Sequence, residues 1–191
     1  KQNVANKIVK NLCGFLCVDT SEVPEFVANS ALKDSILTLI KENSSLTVQD
    51  DIRLKRIAGE AQTKRKGGLS TLSRLLNVFG EDALVKVSQF QKSLFDPLDK
   101  LNELTNQEAL DNELGQAIVD AFGVLRATFP FMDHKIQAQD VIPRFPIFLK
   151  FLKSEFSVFR YSTARTFANL AKTSPIQVMA FIIREVLPLM N

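Results

Sequence analysis

Histidine occurs once and cysteine twice among 191 residues, and glycine and proline seven times each. A single His134 leaves little room for histidine-based metal or triad chemistry. Two cysteines cannot build a disulfide scaffold. So little glycine and proline excludes a loop-rich or collagen-like chain. No run of about 18 apolar residues occurs, which excludes a membrane-spanning helix. Neither end pairs a basic start with an apolar run, as a signal peptide would. What is present is ordinary for a folded chain: 46% hydrophobic residues, 24% charged residues and a net charge of +3. That charge permits an acidic partner without demanding one. At roughly 150 residues per domain, the length allows one domain or two small ones.

The pattern is helical throughout. Val4, Ile8, Val9, Leu12, Phe15 and Leu16 recur at spacings of three and four. Leu32, Ile36, Leu37, Leu39 and Ile40 give a second, short face within 31–42, before a loop at 43–47. A charged helical stretch from Val48 meets Gly67-Gly68, read as the start of a further helix carrying Leu69, Leu72, Leu75, Leu76 and Phe79. Gly80 stands where a helix stop is expected. Asp96-Pro97 is a break, and 98–112 mix weak helix with loop. Leu114, Ile118, Val119, Phe122, Leu125 and Phe129 form one face, stopped by Pro130. A short helix over 135–142, an apolar group at 148–152 and two faces at 159–170 and 176–187 follow. No hairpin turn and no long alternating run occurs, so the fold class is all-α, with about eight to ten helices.

Many of these faces are apolar over more than half the helix circumference, and such helices need cover on two sides. Stacked antiparallel helix pairs provide it, so the expected architecture is an α-solenoid over 1–191, with a weak break at 96–112. A plain multi-helix globular domain is the competing architecture. The run Phe159, Arg160, Thr163, Ala164, Phe167, Leu170 and Ala171 resembles the second-helix signature of HEAT (armadillo-like) repeats. There, small Thr163 and Ala164 would admit a close neighbouring helix, and Arg160 would reach a turn or carboxylate of the adjacent repeat. Leu69 and Phe159 lie 90 residues apart, about two repeats of roughly 40–47 residues.

No constellation carries recognisable catalysis. Phosphate-loop, dinucleotide and nucleophile-elbow motifs are all missing, so no catalytic or cofactor-binding residue is assigned. Cys13 and Cys17 share a helix face, but a metal site needs two more ligands, and reduced core thiols of an intracellular protein are the alternative. His134 beside Asp133 is either a general base or an exposed loop residue. Arg53, Lys55, Arg56, Lys64, Arg65, Lys66 and Arg74 place seven cations against Glu60 alone. Such a region either contacts phosphates, releasing counterions from nucleic acid, or forms a solvated face. No aromatic residues interleave with it, so base stacking is not expected. The acidic residues Asp96, Asp99, Glu103, Glu108, Asp111 and Glu113 either meet a basic partner or keep a loop soluble.

Four stretches resemble one family. These are Val9-Lys10-Asn11-Leu12-Cys13-Gly14-Phe15-Leu16-Cys17-Val18-Asp19-Thr20, then Lys64-Arg65-Lys66-Gly67-Gly68 with Phe79-Gly80-Glu81-Asp82, then Phe95-Asp96-Pro97-Leu98. They look like the middle region of the TATA-binding-protein-associated ATPases of the SWI/SNF class, which remove TATA-binding protein from DNA. Gly14 and Gly68 stand where that pattern suggests Ala, each costing about 1 kcal/mol in a helix interior. The resemblance implies a nuclear parent whose N-terminal HEAT array grips TATA-binding protein and whose C-terminal motor uses ATP and Mg. This chain would be a fragment between the two, touching neighbouring HEAT repeats and the ATPase domain, with no cofactor and no membrane contact of its own. The family's latch segment is not found here, and no family contact residue carries over. A scaffold segment is therefore the leading expectation. A nucleic-acid-contacting module using 53–74 is the rival, and a stand-alone helical enzyme is the third reading.

Overall fold

The computed structural model describes residues 2–26, 48–103 and 110–189; the expected helix at 31–42 lies outside them. Among the described residues every regular element is helical. They are α1 (Gln2–Cys17), α2 (Val48–Phe79), α3 (Ala83–Lys86), α4 (Ser88–Leu94), α5 (Asp96–Glu103), α6 (Asn112–Thr128), α7 (His134–Ile136), α8 (Phe145–Leu152), α9 (Ser157–Thr173) and α10 (Pro175–Phe181). A π turn over Gln137–Val141 continues α7, and another over Ile182–Val186 continues α10.

Helices α1, α6 and α9 pack side by side in one row. Helices α4, α5, α8 and α10 form a second layer, each against a member of that row. Consecutive helices return antiparallel, as α8 and α9 do: Phe151 meets Phe159 while Phe148 meets Phe167. This is the stacked-pair, HEAT-like solenoid expected from the two-sided apolar faces. The middle helix is covered most completely. Ile118, Val119, Ala121, Phe122, Val124 and Leu125 of α6 are all buried. Asp111 starts that helix by accepting the Leu114 N–H at 2.7 Å.

A chain of phenylalanine rings crosses both layers. Phe26, Phe156, Phe159 and Phe151 are linked by ring contacts at one end, Phe151 through Phe159. Phe148, Phe145, Phe167 and Phe181 are so at the other. Phe122 of α6 lies between, with centroids 5.1 Å from Phe151 and 5.3 Å from Phe148, both edge-on. Buried Gln137 ties the helix ends. Its amide donates to the Met132 and Phe129 carbonyls, and its carbonyl accepts from Ser174 Oγ at 3.2 Å.

The structure corrects several sequence expectations. Gly67-Gly68 starts no helix, because α2 runs unbroken for 32 residues. Gly68 sits where α2 crosses α1, and a Cβ there would lie 3.1 Å from both the Leu12 carbonyl oxygen and Phe15 Cβ. Close approach offsets its helix cost, whereas Gly14 has nothing near its Cβ direction. The stop falls at Gly80, whose φ of 51° is the left-handed region. Ala164 is exposed, so only Thr163 of that small pair faces inward. Arg160 donates to the Ser154 and Glu155 carbonyls, capping the turn before its own helix rather than reaching an adjacent repeat.

Candidate functional site

The basic residues of α2 separate into two groups. Arg53, Lys55, Arg56, Lys64, Lys66 and Arg74 are exposed. At 100° per residue, Arg53, Arg56, Lys64 and Arg74 fall within roughly 80° of arc, while Lys55 and Lys66 point away from them. Glu60 lies inside that stripe, 3.8 Å from Arg56. Arg65 turns inward instead, donates to the Leu16 carbonyl and sits 3.9 Å from Glu22.

Arg65 thus belongs to a different constellation. The turn after α1 carries Glu22, whose carboxylate meets Arg126 Nη2 at 2.9 Å and Arg165 Nη2 at 3.0 Å. The Glu22 backbone carbonyl also accepts from Arg126 at 2.5 Å. Three helices therefore aim guanidinium groups at one carboxylate: α2 through Arg65, α6 through Arg126 and α9 through Arg165. Tyr161 lies beside Arg165, with its hydroxyl 3.1 Å from Nη1. Glu22 and the three arginines border an open cleft of about 520 Å³, also lined by Leu69, Pro130, Phe131, Asn169 and Lys172. The Arg126 side chain is only 6% exposed. Burial, followed by the Arg165 cation, draws its guanidinium down to about 10, against the restoring charge of Glu22.

Sequence reading placed Arg65 in a surface patch and passed over Arg126, Arg165 and Glu22. Their partners are up to 143 positions apart. The signal available was a lone arginine in the apolar run Phe122–Phe129, where a charge on a covered face requires a partner.

The other sequence candidates lead elsewhere. Cys13 is buried and Cys17 half-buried, both free. Burial pushes the Cys13 thiol up to about 11. Cys17 is raised further by burial and the nearby Asp120 charge. Neither thiol has thiolate character near neutral pH. Among the described residues no group of three His, Cys, Asp or Glu is placed to hold a metal. His134 is exposed as the first residue of α7, and Asp133 caps that helix by accepting the Lys135 N–H. Of the acidic residues, Asp99 forms a fork with Arg144, at 2.8 Å to Nη2 and 3.0 Å to Nε, and Asp111 caps α6. The side chains of Glu103 and Glu108 lie outside the described set.

Residues 1–93 match the model of a family described as "Domain of unknown function (DUF3535)". The whole chain is 58% identical, over 193 aligned residues, to TATA-binding protein-associated factor MOT1 of Saccharomyces cerevisiae, and covers 10% of that protein. It is 34% identical to TATA-binding protein-associated factor mot1 of Aspergillus fumigatus over 195 residues, again 10% of the relative. A plant protein, TATA-binding protein-associated factor BTAF1 of Arabidopsis thaliana, is 23% identical over 209 residues. Along its whole length the chain is homologous to one segment, 10% by length, of the TATA-binding protein-associated factors.

Proposed function

We propose that this chain is a non-catalytic HEAT-repeat scaffold segment of a nuclear, ATP-dependent transcription regulator that binds TATA-binding protein and removes it from DNA. The names of the relatives support the partner, and the sequence resemblance supports the motor. ATP and Mg belong, in this reading, to an ATPase domain elsewhere in the parent. The observation that carries the scaffold role is exposed apolar surface on the first and last of the described helices. On α1, Val4, Ile8 and Phe15 are exposed. On α10 and its π extension, Ile176, Met179, Ile183 and Leu187 are exposed. A solenoid that ends in water has polar capping helices. Apolar outer faces suit a segment continued by neighbouring repeats on either side. The work of such a segment is geometric: it holds the partner-binding end at a fixed distance and angle from the motor, through an interior packed at near-crystal density.

Met179→Asp combined with Ile183→Asp tests this in the full-length protein, because both residues are exposed and the segment itself keeps its fold. Release of TATA-binding protein from a TATA duplex is expected to fall about tenfold, equivalent to ~1.4 kcal/mol, with ATP hydrolysis held within about twofold. Unchanged release overturns the scaffold reading.

A second reading is supported by the six exposed cations that run along roughly 30 Å of α2. In it, α2 contacts DNA phosphates. Four of the cations share one face, and about four such contacts would lower affinity roughly 150-fold between roughly 50 and 200 mM salt. A flat, weak titration with duplex DNA removes it.

A further inference from the structure

The arginine cleft has more positive charge than its own residues neutralise. Arg65, Arg126, Arg165 and Lys172 face it, and Glu22 is the one carboxylate among its lining residues. Glu22 cannot satisfy three guanidinium forks with two oxygens, and it leaves Arg65 at 3.9 Å. Gathering like charges in a half-buried site is costly unless an anion joins them. The cations belong to three separate helices, so the site exists only in the folded stack.

The rest of the lining identifies the chemistry of that anion. Leu69, Pro130 and Phe131 form an apolar wall beside the guanidinium groups, and Asn169 adds an amide. Side chains of Arg126 and Arg65 are 6% and 14% exposed, sunk between helices. A duplex backbone is too broad to reach them, whereas a single side chain can. Arginine forks match carboxylates in two-pronged geometry. A volume of about 520 Å³ falls within the roughly 300–1,000 Å³ of pockets that enclose a ligand.

We propose that the cleft between α2, α6, α9 and the turn at Glu22 is a docking site for a short acidic peptide segment whose carboxylates alternate with apolar side chains. One carboxylate of the segment joins Arg65, which Glu22 leaves at 3.9 Å, and the partly exposed Arg165 beside it. An adjacent apolar side chain lies on Leu69 and Phe131. Lys172, at the exposed rim, draws the segment in by charge.

The test uses the 191-residue chain and a short fluorescein-labelled peptide in which Asp and Glu alternate with Phe and Leu, followed by anisotropy. Saturable binding is expected, and Arg165→Glu and Lys172→Glu each weaken it about tenfold or more, ~1.4 kcal/mol. Lys172 is exposed, so Lys172→Glu is expected to melt with the parent chain, whereas Arg165→Glu also gives up the Glu22 pair and is expected to melt lower; circular-dichroism melts show both folded at the assay temperature. Lys92→Glu and Lys153→Glu make the same charge change on other surfaces, and affinity there stays within about twofold. The idea is overturned if the parent chain does not bind, or if Arg165→Glu binds as the parent does. It is equally overturned if a peptide with Ser in place of Phe and Leu binds as well. Displacement of the peptide by a short duplex at lower concentration than by unlabelled peptide would assign the cleft to nucleic acid instead.

Discussion

Phe122→Ala is expected to lower the stability of the chain by about 3–5 kcal/mol, the range for removing a fully buried phenylalanine. For a chain of this size, that corresponds to a fall in melting temperature of roughly 6–20 °C. Position, more than burial, sets it apart from other buried rings. Phe122 is 1% exposed and meets Phe151 on one side and Phe148 on the other. Each edge-on pair adds about 0.5–1.5 kcal/mol beyond the area it buries. Deleting this ring separates the Phe26–Phe159 group from the Phe145–Phe181 group at the seam of α6 and α8. Phe122→Leu keeps an apolar side chain while losing both ring contacts, and is expected to cost about 1–3 kcal/mol. Urea titrations with a common slope for all three proteins give these values. A loss below about 1 kcal/mol for Phe122→Ala would mean that the seam collapses around the hole.

Such an interior was partly legible from sequence. The α6 stripe from Leu114 to Phe129 and the α9 stripe from Phe159 to Leu170 recur at helical spacing, and that spacing reflects burial directly. Gly80 was legible as well, because a helix stop in the left-handed region favours a residue without Cβ. Gly68 was misread for a related reason. A glycine pair reads as punctuation, yet here the missing Cβ serves a crossing with α1 that only the folded stack creates. Gln137 left no trace, since a polar residue in a short helix ordinarily faces water, and its burial depends on Ser174, which sits 37 positions away. Arg65 was visible only as one cation among seven. Its direction on α2 follows from helix phase, but its partner does not, because Glu22 lies beyond the reach of any local pattern.

The same long reach lets Glu22 tie three helices together through one carboxylate. Glu22→Ala is expected to cost about 2–4 kcal/mol. That is below the ~3–5 kcal/mol of a fully buried broken pair, because the Glu22 side chain keeps 36% of its surface in water. The loss arises from what remains: Arg126, almost wholly buried, then faces Arg165 and Arg65 without a counter-charge. An added anion should restore part of it. If succinate enters the vacated position with a dissociation constant near ~10 mM, ~100 mM succinate returns about 1.4 kcal/mol to the variant. The parent chain provides the control, since carboxylate salts also stabilise folded proteins by exclusion from their surface. The informative quantity is the extra rise in stability of Glu22→Ala over the parent at equal ionic strength. Equal responses of the two proteins would mean that the arginines are solvated by water after the substitution. A selective response identifies the cluster as a place where a carboxylate from outside can replace the one the chain supplies.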